Sequence, residues 1–182
     1  FAQNFDQNIK NHINKFNPVV FLLSSDEINH SILEGAFIVY LGHHGDDLAQ
    51  LADIVLPSPA YTEKSSTYMN MEGRVLQTTR CYHPLGVSKE EWKIFRALSN
   101  NFSQKLKFNN LSELRNEISN LFPVFKEINI LPSSSKLDFG SSTKIENRAL
   151  EYNIKNFYMT DVISRASITM ANCSREILNK VA

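Results

Sequence analysis

The chain has 182 residues, 19 Lys plus Arg against 19 Asp plus Glu, and two cysteines. The length suits one domain with a core of its own. The balanced charge lacks the basic excess of a nucleic-acid binder. Two thiols fall short of the four that an iron–sulfur cluster or a four-cysteine zinc site usually needs, so this chain alone can build neither.

The apolar runs Val19 to Leu23 and Phe37 to Leu41 are too short to cross a bilayer. The opening, "FAQNFDQNIKNHINKF", has neither an apolar signal core nor an arginine-rich transit pattern. It does not start with Met, so a processed or incomplete product is expected. Usage rich in Asn, Lys, Ile and Phe and poor in Gly points to AT-rich coding, as in an organelle or reduced genome. A disulfide between Cys81 and Cys173 is formally open; two buried or half-buried free thiols are the expectation.

In chain order, Phe5, Ile9, Ile13 and Phe16 share one face of a first helix, which Pro18 stops. "VVFLLSS", "AFIVYLG" and "DIVLP" follow as three continuous apolar runs. Such runs predict strands buried on both faces of a parallel sheet, joined by short crossover helices. After Pro57 and Pro59, "SSTYMN" and "RVLQTTRCY" predict a hairpin turning at "MEGR", with Gly73 free to take positive φ. This hairpin is expected at the edge of the parallel sheet, on a surface or under a partner. Two helices come next. "SKEEWKIFRALSN" carries a capping box from Ser88 to Glu91 and a core stripe of Trp92, Ile94, Phe95 and Leu98. "NLSELRNEISNLFP" repeats the device with Asn110 and Glu113, and Pro123 closes it. Residues 131 to 147 are Ser-rich and aperiodic, hence a loop. The end predicts one long helix capped by Thr160 or Asp161, with Val162, Ala166, Met170, Cys173 and Ile177 on one side.

Three stretches could carry chemistry. "GHHGDD", Gly42 to Asp47, leaves a strand and opens a helix, where open α/β sheets bind ligands. His43 and His44 could bind a metal, and the glycines would let backbone approach a phosphate. But adjacent side chains point apart and metal pairs want i, i+2 or i, i+4 spacing, so a structural loop with Asp46 as helix cap is favoured. "CYH", Cys81 to His83, offers a thiol and an imidazole with no third partner. A packed thiol beside a surface His is the better reading. Arg74, at the hairpin tip beside Glu72, could grip a carboxylate or phosphate; a solvated turn and a subunit contact weigh about equally against each other, and both outweigh a small-molecule role.

The order and spacing of "LADIVLP", "YTEKSSTYMNMEGRVLQ" and "WKIFRALS" closely resemble the C-terminal region of the large iron–sulfur subunit of respiratory complex I. "FYMTDVISRASITMANC", Phe157 to Cys173, resembles the same subunit's C-terminal segment. The resemblance covers about residues 37–100 and 157–173. It implies a partial open parallel sheet of the molybdopterin-oxidoreductase type at 1–130, a linker at 131–156 and a helical extension at 157–182. It further implies a non-catalytic scaffold in the peripheral arm, on the matrix side of the mitochondrial inner membrane. No catalytic, cofactor-binding or metal-binding residue is expected in this chain. The iron–sulfur clusters are expected in the N-terminal part of the subunit. That part, as a separate chain, and other peripheral-arm subunits of complex I are the expected partners. A fragment of a genuine molybdopterin-dependent oxidoreductase is the alternative, and a nucleotide-binding module using "GHHGDD" a weaker third.

Overall fold

The computed structural model describes residues 5–132, 154 and 156–178. Three strands, β1 (Val19–Leu23), β2 (Phe37–Gly42) and β3 (Ile54–Pro57), form a parallel sheet in the order β1-β2-β3. Val39 pairs with Phe21 on one side and Ile54 on the other. Because side chains alternate along a strand, Ile38 and Tyr40 face one way and Val39 and Leu41 the other. The first face meets Ile13 of helix α1 (Phe5–Phe16), a short 3-10 turn at His30–Ile32 and Leu48 of helix α2 (Asp47–Leu51). These side chains, with Leu22 and Leu33, are the core. On the second face Phe21 packs against Phe95 of helix α3 (Glu91–Leu98), ring centroids 5.4 Å apart.

Burial on both faces holds for β2 alone, buried throughout after Phe37. Among the described residues the outer strands are edges with too little to cover them: Val19, Leu23, Ile54 and Val55 are 55, 48, 43 and 50 % exposed. Ile54 and Val55 point to opposite faces, so β3 lacks cover on both. The first crossover is also slighter than expected, a single 3-10 turn rather than an α-helix. Phe16 does not join the buried face. Asn17, with φ +44, turns the chain out of α1, and the Phe16 ring rests on His12 and Lys15 of its own helix.

The hairpin forms as β4 (Thr67–Met69) and β5 (Val75–Gln77), with Met69 opposite Val75. The Asn70 side chain accepts the N–H groups of Glu72 and Arg74 at 3.0 Å each, and Gly73 takes φ +82. This hairpin is a separate two-stranded sheet and not an extension of the parallel one. Its anchors lie elsewhere. Arg115 of helix α4 (Leu111–Leu121) donates to Thr67 and Ser66, and Asn129 N–H donates to Val75 C=O at 2.7 Å.

The capping at Ser88 is not what α3 uses. The helix starts at Glu91 with Glu90 as N-cap and no side-chain cap bond. Glu91 is drawn off to Lys64, 2.6 Å away, and the buried Ser88 hydroxyl has no partner. None of α3 is fully buried, so its stripe is a half-covered face, not core. In α4 the expected cap does form: Asn110 accepts from Glu113 N–H at 2.9 Å, and Glu113 reaches back to Asn109 N–H. The Ser-rich stretch lies almost wholly outside the described residues. The C-terminal helix is not continuous. It splits into α5 (Val162–Arg165), capped by Asp161, and α6 (Ile168–Ile177), capped by Ser167. A hydroxyl at 167 that accepts from Met170 N–H starts a second helix in place of extending the first.

Candidate functional site

In an open parallel sheet the strand ends leave a crevice where ligands bind. Here that crevice is shaped by left-handed backbone at Ser24 (φ 49), His44 (φ 60) and Gly45 (φ 58). Ser24 N–H donates to Leu41 C=O and Ser58 N–H to Gly42 C=O, so all three strand ends are tied together. The turn at His44 also brings two side chains together that adjacency alone would splay. His43 Nδ1 and His44 Nδ1 lie 2.8 Å apart, so one donates and the other accepts. Burial, then His44 and Lys64, hold the His43 imidazolium below its usual range, which favours the neutral ring. Two imidazoles do not make a metal centre. Among the described residues no group of three or more His, Cys, Asp or Glu could hold an ion.

Asp46 does not cap α2 with its side chain. Its Oδ2 instead accepts from Arg165 Nε at 2.8 Å, and Arg165 Nη2 donates to Asp26 Oδ2 at 2.9 Å. Arg165 Nη1 also reaches Met159 C=O at 3.3 Å. One planar guanidinium thus joins the loop after β1, the loop after β2 and the C-terminal segment. Burial alone would lower the Arg165 pKa; its bonds to Asp26 and Asp46 outweigh that and raise it. Below them lies Tyr40, 2 % exposed, its phenol pKa raised by burial and then by Asp46 and Asp26.

Asp26 and Arg165 carried no local signal. The carboxylate nearest Arg165 in sequence is Asp161, four residues before, and that one is used to accept Ile163 and Ser164 N–H at the start of α5. Of the other candidates, Cys81 is exposed, outside any strand, and not the packed thiol expected; Cys173 is half-buried as expected. Both are free. His83 is exposed. Arg74 is spent within the chain, donating to Asn129 C=O at 3.2 Å with Glu72 at 3.5 Å.

The comparisons decide what this architecture is. Residues 2–101 match the profile described as molybdopterin oxidoreductase, more than half the chain. The chain belongs to the molybdopterin oxidoreductase family. Residues 130–173 match a second profile, the C-terminal region of the G-type subunit of NADH-ubiquinone oxidoreductase. The mitochondrial 78 kDa subunit of NADH-ubiquinone oxidoreductase from Candida albicans is 43% identical over 85% of the chain. The 75 kDa subunit from Reclinomonas americana is 38% identical and the G-type subunit of NADH-quinone oxidoreductase from Rickettsia bellii 39%, each over 85% of the chain. The chain spans 23% of the length of each of these three. It is therefore similar to a part of the complex I large subunit, as its motifs imply, and that similarity fits a fragment of this subunit and not a molybdopterin enzyme.

The family name implies a pterin, and the crevice does not fit one. A pterin cofactor brings phosphate, which wants helix N–H groups and free cations. Helix α2 starts instead with Asp46 and Asp47. Arg165 and Lys64, two cations near the strand ends, are bound to Asp26, Asp46 and Glu91. No described helix is long and apolar enough to cross a membrane.

Proposed function

We propose that this chain completes and braces the large iron–sulfur subunit of complex I and carries out no chemistry of its own. The observation that carries the reading is the half-finished sheet. β2 is buried beyond Phe37, yet Val19 and Leu23 of β1 and Ile54 and Val55 of β3 stay about half exposed, and among the described residues no further strand pairs with either edge. Such edges invite a further strand. Covering the four side chains stabilises a docked state by about 1 kcal/mol each. A chain spanning 23% of its relatives has most of the subunit to dock against.

The partner in this reading is the cluster-bearing N-terminal part of the subunit, as a separate polypeptide, with further peripheral-arm subunits around it. The place is the matrix side of the mitochondrial inner membrane. Electron transfer between clusters needs constant short distances, and a rigid domain beside the cluster part supplies them. No residue of this chain binds a cofactor. The test is capture of the tagged chain under mild detergent, with protein identification and metal analysis of the eluate. The cluster-bearing part and peripheral-arm subunits should elute with it in equal amounts, with iron and without stoichiometric molybdenum. A solitary chain with one molybdenum each overturns the proposal.

A further inference from the structure

The crevice at the strand ends is crossed by the chain's own C-terminal segment. Val162 and the residues around it line an open trough on each side of α5. One holds Ser24, Asp26, His43 and Tyr61; the other holds His44, Gly45, Asp46 and Gln50. Val162 borders both, so α5 lies between them. Its turn is set in advance, because Asp161 accepts two N–H groups while Ser164 Oγ accepts Asp161 N–H. From that turn Arg165 reaches partners 119 and 139 residues away in sequence.

We propose that Asp161–Ala166 is an intrachain strap across the carboxyl end of the sheet, fastened by Arg165, which holds the β1 and β2 loops together and occupies the approach a phosphate-bearing ligand would need. Arg165 acts as a positioning residue. Asp26, Asp46, Asp47 and Asp161 give the strand ends a negative surface, and Arg165 is the cation that bridges two of them. Without it, Asp26 and Asp46 repel each other across two loops, and the strap has no charged anchor. Without the strap, the carboxylates still repel phosphate. The crevice is closed to nucleotides and pterins twice over.

The test is hydrogen–deuterium exchange on the protein in the assembly in which it is isolated, comparing wild type with Arg165→Gln. Exchange should rise about tenfold, together, in three peptides, 24–29, 43–50 and 161–170, while the hairpin at 66–78 stays unchanged. A merely local role would loosen 161–170 alone, and that result overturns the strap, as does no change anywhere. Should Arg165→Gln fail to accumulate, Arg165→Lys and Asp46→Asn each leave one link in place. Each should give a smaller rise in the same three peptides; exchange equal to wild type counts against the strap. Inorganic pyrophosphate at millimolar concentration should protect none of these peptides in wild type or variant. Protection of 43–50 would contradict the closed crevice.

Discussion

Gly42 opens a stretch whose residue types suggest ligand chemistry, yet its missing side chain makes room for a ring. A Cβ at position 42 would lie 2.6 Å from Tyr40 Cζ and 2.7 Å from Cε1. Tyr40 points along the same strand face toward Asp26 and Asp46, and it is too well buried to swing aside. Gly42→Ala should therefore destabilise the sheet by about 1–3 kcal/mol, the usual cost of overpacking. Faster exchange of the β2 amides would report the loss directly. Combined with Tyr40→Leu, the two costs should fall short of their sum, because the clash exists only when both groups are present. Sequence alone could not separate a glycine that admits phosphate from one that admits tyrosine. The two look alike until the strand face is assigned.

At the level of elements, two helices with the same start signal behave differently. Asn110 caps α4, and Asn110→Ala should weaken it by about 1 kcal/mol. Ser88 has the same spacing to Glu91 but stands outside α3 with an unpartnered hydroxyl. Ser88→Ala should be neutral or slightly stabilising, since a buried polar group without a partner is removed. Amide exchange in the first turns of α3 and α4 checks both: the Glu113 amide should exchange faster in the first variant, and the α3 amides should not change in the second. The cap at Ser88 failed for a tertiary reason. Lys64, distant in sequence, takes Glu91, and Lys89 N–H bonds Pro57 C=O in the turn before the helix. The C-terminal break has the opposite origin. Its cause was local, Ser167 as a second N-cap, but an apolar stripe running through both halves hid it.

Across the whole molecule, the parallel sheet was legible because each of its strands is a short apolar run between turn residues, and the hairpin because its two halves flank a turn at Gly73. How the pieces meet was less so. The hairpin stands apart from the sheet, held by Arg115 and Asn129, and the strap depends on contacts more than a hundred residues apart in sequence. Periodicity carries no information at that range. It does carry the feature that points to a partner, outer strands too apolar for the cover that the described residues provide. The direct measurement is circular dichroism with gel filtration on the isolated chain, with and without the cluster-bearing part. Alone, it should melt without a cooperative transition and elute as an expanded or associating species; mixed, it should gain a sharp transition and co-elute. A compact monomer that melts cooperatively by itself, unchanged by the partner, would contradict the account.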